Sequence, residues 1–428
     1  MIKSGFFVAI DLGTSKITGV VARKNKDNVI SVLASETTPS NGCIRRGLVY
    51  NIEKTGANVR IIISKLENKL GSKIGKVYVS MAGQSLHTIT HKVNKQLLST
   101  GIVSDNVVME MREEADRFVP DMKKVYDIAE VEYVINGKAE SHPSGIATKA
   151  IEGHYQMIVG RPNMLANIKK SIEEKAGLEI AGYVIGPLAS ANIALNENEK
   201  ELGCVFVDFG AGTSSLSIYK GGKLRHMVVI PFGGDIITKD LCELNFTEED
   251  AERYKTDIGK AYEVKEVKSS RFKINKSKTP ETDFPEADYV IEMRIQEIVD
   301  NIENQIKTSG YEGKLGAGMV ITGGASNLTN LNLYLEDRLE MPVKTASALK
   351  AYVNNFPELA NDPSYTQALG LLLHASENCE KKIVKQPAPE PEDEKPKNEP
   401  IREPKLPKRG FRDKFGNLFA SMFDEDDD

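Results

Sequence analysis

A chain of 428 residues has room for more than one hydrophobic core, since single cores stop growing near ~250–300 residues. With 40% hydrophobic and 27% charged residues it reads as an ordinary globular protein, and a net charge of −5 excludes general nucleic-acid binding. The four cysteines, Cys43, Cys204, Cys242 and Cys379, stand far apart in no metal-ligand spacing, so reduced, buried thiols are expected.

The N-terminus enters an apolar run that ends at Asp11 without a charged lead-in or cleavage site, so no export signal is read there. Residues Phe6 to Ala22 predict two strands, FFVAI and KITGVVA, joined by a tight turn from Asp11 to Ser15. A helix is expected from Asn163 to Lys175, where Leu165, Ile168 and Ile172 recur at helical spacing and Gly177 follows. The uncharged stretch Ile180 to Leu195 is shorter than the ~18–20 residues of a membrane span and is broken by Gly186 and Pro187, so it predicts a buried strand turning into a helix. Cys204 to Tyr219 repeats the first hairpin, with strands CVFV and SLSIY around the turn DFGAGTS. Two such hairpins point to a duplicated α/β architecture in which each half lends one turn to a shared cleft.

Farther along, Ser269 to Pro285 is polar and reads as an exposed loop, and Tyr289 to Ile306 predicts a helix with Ile291, Ile295, Ile298, Ile302 and Ile306 on one face. Val320 to Ser326 is an apolar run ending in Gly323-Gly324, which alone would be an ordinary strand-to-helix turn. Residues 380–407 carry seven prolines among charges and predict a disordered linker. Beyond it, Phe411, Phe415, Leu418, Phe419 and Met422 form one helical stripe beside Lys405, Lys408, Arg409, Arg412 and Lys414. Basic residues flanking an aromatic face describe a helix lying in a membrane interface, and the long tether favours this over docking on the protein's own core or on a partner. The acidic residues 424–428 would be repelled by anionic lipid.

Both hairpins deliver an aspartate into a turn of Gly, Thr and Ser: Asp11, Gly13, Thr14, Ser15 and Lys16 in the first, Asp208, Gly210, Gly212, Thr213 and Ser214 in the second. Such turns bring backbone N–H groups and hydroxyls close to phosphate oxygens, and two facing carboxylates suit a hydrated magnesium ion held through water near Asp11 and Asp208. Lys16 offers a point charge to the phosphates, although a lone lysine in a turn is more often solvated. A P-loop is excluded, because neither turn contains GxxxxGK[ST] and each is followed by a strand pattern.

Two phosphate hairpins followed by the turn Gly323, Gly324, Ala325 and Ser326 form the pattern of the actin, heat-shock 70 and sugar-kinase superfamily. Within it, the chain resembles the FtsA family of bacterial cell-division proteins over about residues 5 to 375 and the terminal helix. The resemblance is carried by Val229 to Leu241, by the Ala251-Glu252-Arg253-Tyr254-Lys255 helix, and by Val79 to Gly83, Ile185 to Ser190 and Gln367 to Gly370.

The resemblance implies an actin-like duplicated ATPase fold. Residues 1–83, 161–203 and 361–379 would form the first domain, 84–160 an FtsA-type extra subdomain, 204–360 the second domain and 408–423 an amphipathic membrane-targeting helix. It implies ATP and Mg2+ as ligands, with Glu252 and Lys255 flanking the adenosine beside residues 323–326. It implies filaments of the chain itself, binding to the C-terminal peptide of FtsZ, recruitment of other division proteins, and a place on the cytoplasmic side of the cell membrane at the division site.

One departure stands out. The resemblance implies that many relatives that hydrolyse ATP place a Glu or Gln in the segment where this chain reads Gly186 to Ser190, so at most slow hydrolysis is expected and no catalytic residue is assigned. A small-molecule or sugar kinase, or a pilus-assembly or rod-shape actin homologue, remains the alternative.

Overall fold

The computed structural model describes residues 5–97, 101–262 and 284–381. Strands β1 (Phe7–Leu12) and β2 (Lys16–Lys24) form the first hairpin, with Leu12 opposite Ile17 at its closed end, and β3 (Ile30–Pro39) extends it antiparallel. Ile17 to Ala22 are all buried, which is why β2 reads as an apolar run without alternation. A small hairpin of β4 (Ile44–Arg45) and β5 (Leu48–Val49) leads into α1 (Ile52–Leu70). Asn51 caps that helix by accepting from the Lys54 N–H, and Gly71, at φ 65°, ends it.

After β6 (Lys76–Met81) comes an insertion of β7 (His87–Gln96), α2 (Asp105–Asp116), β8 (Lys124–Ile135), β9 (Lys138–Glu140) and β10 (Ala150–Gly160). Val93, Met111, Tyr155 and Met157 give it a core of its own. Helix α3 (Met164–Lys169) then runs into a π-helical turn over Lys170–Lys175. The expected helix is therefore present but widened in its second half; Ile168 and Ile172 are buried. Strand β11 (Glu179–Ile185) passes directly into α4 (Gly186–Ala194), with Pro187 in the first turn, and α5 (Glu197–Leu202) closes the first half.

The second half repeats the plan. Strands β12 (Cys204–Phe209), β13 (Ser214–Lys220) and β14 (Lys223–Ile230) form the meander, followed by α6 (Gly234–Cys242), α7 (Glu248–Asp257) and α8 (Pro285–Thr308). Helix α8 buries the five predicted isoleucines, and Pro285, expected to end a loop, instead opens the helix, where its missing N–H costs nothing. Then come β15 (Met319–Thr322), a short 3-10 turn over Gly324–Asn327, α9 (Leu331–Leu339), β16 (Val343–Thr345), α10 (Pro357–Ala360) and α11 (Thr366–Leu373).

The strand orders make the duplication explicit. The first sheet runs β11-β6-β1-β2-β3 and the second begins β16-β15-β12-β13-β14, each with a three-stranded meander and two parallel strands beside it. This is the actin-like arrangement. The second sheet continues beyond β14 through a bridge between Val228 and His87 into β7-β10-β8-β9, so the inserted strands join the far half's sheet.

Helix α11 returns the chain to the first half, against α4 and β1. Cys379 N–H donates to Phe6 O (2.9 Å) and Lys381 N–H to Lys73 O (2.9 Å), with Glu380 bridged to Ile74. Glu380 and Lys381, expected to begin the linker, are therefore pinned to the folded body by backbone pairing. The rest of the expected linker, the helix 408–423, the tail 424–428 and the loop up to residue 283 lie outside the described residues. Among the described residues no helix is long and apolar enough to cross a membrane. All four cysteines are free, and Cys43, Cys204 and Cys379 are buried.

Candidate functional site

The first turn is braced from behind: Ser40 donates from Oγ to Gly13 O (2.6 Å) and from N to Ser15 O (2.8 Å), while Thr14 Oγ1 accepts from Gly47 N–H (3.2 Å). The second turn closes on itself through Gly210 N–H to Thr213 O (2.9 Å). It is held by Gly234 N–H to Gly210 O (2.9 Å) and Asp235 N–H to Ala211 O (2.8 Å). The two turns meet face to face. A Cβ on Gly212 would stand 2.7 Å from Thr14 Oγ1, so only glycine permits this approach. Above them opens a cleft of about 1970 Å³ whose walls include Thr14, Ser15, Ala211, Gly212 and Glu252.

Asp11 and Asp208 lie at the base of the turns. Burial raises the Asp11 carboxyl, while hydrogen bonds to Gln367 and Ser80 and the charge of Lys16 partly offset the shift. Asp208 is pushed up to about 6 by burial, against the Ser190 hydroxyl that donates to its Oδ2 (2.7 Å) and with the repulsion of Asp11. Gly323, at φ 90°, backs this carboxylate so closely that a Cβ there would overlap Asp208 Oδ1. The strand-end glycine of the third cluster thus packs directly under the second turn.

Some predicted donors are already engaged. Ser214 is fully buried and donates to Phe232 O (2.9 Å), and Ser326 is buried and donates to Gly323 O (2.7 Å). Both hydroxyls brace the turns they stand in. Lys16 donates to Ser364 Oγ (2.9 Å) with its ammonium 3.5 Å from the Tyr365 ring centroid, and burial lowers its pKa. It is positioned, not loosely solvated. Thr213 and Gly210 remain at the turn, and Gly324 lies beside Ser364.

Lys255 is buried and clasps three groups: Gly234 O (3.1 Å), Thr238 Oγ1 (2.8 Å) and Glu252 Oε2 (2.6 Å). Glu252, half exposed, faces the cleft from α7. A Cβ on Gly234 would touch the Ala325 Cβ at 3.2 Å, so the Glu252–Lys255 pair and residues 323–326 converge on the second turn. Burial also raises the Asp235 carboxyl beside them.

Spacing did not single out Ser190, Ser364, Tyr365 or Gln367. Ser190 and Gln367 stand in segments that carry the family resemblance, but nothing in a linear pattern says that Ser190 reaches the aspartate of the next strand or that Gln367 reaches Asp11 at the far end of the sequence. Among the described residues no cluster of three or more His, Cys, Asp or Glu side chains forms a metal site.

Known proteins bear on these observations. A family model described as "Cell division protein FtsA" matches residues 205–370, a span that includes most of the second hairpin, Glu252, Lys255 and residues 323–326. The cell division protein FtsA of Porphyromonas gingivalis is 33% identical over 332 residues, covering 76% of this chain and 69% of its own. That of Escherichia coli K12 is 26% identical over 387 residues, covering 87% and 90%. Among solved structures, a PilM-PilN type IV pilus biogenesis complex superposes with a TM-score of 0.61 at 15% identity, over 86% of this chain and 98% of that one. The ethanolamine utilization protein EutJ from Carboxydothermus hydrogenoformans gives 0.50 at 18% identity, over 86% and 90%. The structural likenesses show the shared fold, and the identity that extends over most of both sequences shows the lineage: this chain belongs to the FtsA family of cell-division proteins.

Proposed function

We propose that this division-related actin homologue is an ATP-dependent polymerising scaffold that fastens the FtsZ ring to the cytoplasmic face of the cell membrane and recruits later division proteins. The observation that carries the nucleotide part is the meeting of two Asp-Gly turns at Thr14 and Gly212, directly over half-buried Asp11 and Asp208. Backbone N–H groups from both turns would grip the phosphates from opposite sides. Glu252 and residues 323–326 would border the adenosine, with Lys255 holding that wall in place.

A hydrated magnesium ion fits the donor set. Asp11 and Asp208 repel each other enough to help hold Asp208 near 6, and a dication between them would relieve that repulsion. Bound there through water, it would neutralise phosphate charge. Above pH 6 Asp208 is ionised and able to accept hydrogen bonds from the ion's waters.

Residues 408–423 would lie in the membrane interface. Each large apolar side chain buried in lipid contributes at most ~1.5–3 kcal/mol and each basic residue near anionic lipid about 1 kcal/mol. A single helix would therefore bind reversibly, and filaments presenting many copies would bind by avidity. Membrane attachment and polymerisation are coupled in this reading.

The test is co-sedimentation of the full chain with anionic vesicles, with and without Mg·ATP, beside the double variant Phe415→Asp/Phe419→Asp. The wild type should pellet more with Mg·ATP, and the double variant should bind ATP normally yet stay in the supernatant. A double variant that pellets like wild type removes the membrane role from this helix. Binding of the FtsZ C-terminal peptide at micromolar concentration checks the partner, and no binding at hundreds of micromolar would reject it.

A further inference from the structure

Gly186 presents no side chain toward the cleft end of α4, and the structure fills that volume from elsewhere. A Cβ on Gly186 would overlap Gln367 Oε1 and lie 2.7 Å from its Cδ. The amide of Gln367, reaching from the first turn of α11, therefore occupies the volume that a side chain on the first turn of α4 would take. Its Nε2 donates to Asp11 Oδ1. That contact fixes the orientation of the amide, because a carboxylate accepts only from its N–H side. Oε1 is left as an acceptor, and among the described residues no donor reaches it. A polar acceptor thus sits next to Asp11, at the base of the two turns.

We propose that Gln367 is the water-orienting residue for ATP hydrolysis in this chain, supplied by α11 in place of α4. The proposal rests on the ATP-binding reading above and adds a turnover step to it. In that step the oxygen of the held water bonds to the γ-phosphorus as the bond to the β–γ bridging oxygen breaks. The electron pair leaves on ADP, and both of the water's protons depart with the released phosphate, one on the new P–O and one passed to another of its oxygens. Gln367 takes no proton; it accepts a hydrogen bond from the water and is itself held by Asp11.

The geometry makes Gly186 and Gln367 a matched pair. The amide is the far end of a flexible chain, so a methyl group at 186 would push it aside without unfolding the protein. Gly186→Ala should then behave like Gln367→Ala, and combining them should cost nothing further. A glutamine placed at 186 should take over once Gln367 is shortened.

The experiment uses the full chain with Mg·ATP and vesicles of phosphatidylglycerol and phosphatidylethanolamine, reading phosphate release, affinity for a fluorescent ATP analogue, and the melting temperature without nucleotide. Gln367→Ala should bind the analogue as wild type does while kcat falls at least about tenfold, the low end of what a positioned polar group contributes. Gly186→Ala should match it, the double alanine variant should be no slower, and Gly186→Gln/Gln367→Ala should recover most of the rate. Without nucleotide, Gly186→Ala should lower the melting temperature in the wild-type background but not beside Gln367→Ala. The proposal is overturned if wild type binds ATP but releases no phosphate, if Gln367→Ala turns over like wild type, or if the double alanine variant is slower than either single. Failure of wild type to bind the analogue at all would instead reject the nucleotide reading, and this proposal with it.

Discussion

Asp208 shows how far a single side chain's chemistry can be carried. Its carboxyl is held near 6 in the fold against an ordinary value of 3.8. Between these values the folded protein keeps a proton that the unfolded chain has lost, so stability falls as pH rises through the window. Above pH 6 the ligand-free protein carries the cost of a buried charge. Asp208→Asn should therefore melt a few degrees higher than wild type at pH 7.5 without nucleotide, the difference vanishing near pH 4, while Mg·ATP affinity drops. Calorimetry across pH checks the first part and titration the second. Gly323→Ala tests the neighbouring position. The backbone there is at φ 90° and the methyl would overlap Asp208 Oδ1, so a loss of about 1–3 kcal/mol in urea unfolding is expected, with weaker ATP binding. At this scale the sequence showed the strand-end aspartates clearly, because a short apolar run ending in a glycine turn announces them locally. Hydroxyl contacts were not legible: only tertiary packing brings Ser214 Oγ to Phe232 O and Ser326 Oγ to Gly323 O.

Between elements, the contacts that place the site are lateral ones. Lys255 ties α7 to the first turns of α6, and three acceptors depend on one buried ammonium. Lys255→Met should cost about 1–3 kcal/mol, as expected when buried polar partners are orphaned, and should weaken nucleotide binding by loosening the support of the second turn. Urea unfolding and analogue titration report the two effects separately. Helix α8 was readable from Tyr289 to Ile306, since five isoleucines at helical spacing can satisfy only one buried face, whereas its opening turn at Pro285 carries no such stripe and read as loop. The π-helical turn after α3 was not, because Ile168 and Ile172 fit the buried face of an α-helix equally well in a linear pattern. The linker boundary was misplaced for a related reason: Glu380 and Lys381 are polar in composition, and what holds them is backbone pairing, which composition does not encode.

For the whole molecule, the repeated hairpin was enough to reveal a duplicated fold, whereas the attachment of the insertion was invisible in the sequence. Its strands leave and re-enter the first half, yet they bond to the edge of the second. At the seam, Met227 N–H donates to Thr88 Oγ1 (2.8 Å), Val229 N–H to Leu86 O (3.0 Å) and Gln156 Nε2 to Arg225 O (3.1 Å), and Arg225 pairs with Glu132 (3.0 Å). Thr88→Val leaves the Met227 N–H without its partner and should lower stability by about 1–3 kcal/mol, with amide exchange accelerating first along β7 and β14. Hydrogen exchange with mass spectrometry reads this directly.

The seam also turns the inserted sheet into a lever. Strands are spaced about 4.8 Å apart, so β9, four strand positions beyond β14, lies roughly 19 Å out along the arm. A rotation of ~10° carried across β14 would sweep that outer edge through ~3 Å, by simple geometry on the same spacing. Movement too small to notice at the cleft would thus be legible, as a change in reach, to whatever meets the molecule at its far rim.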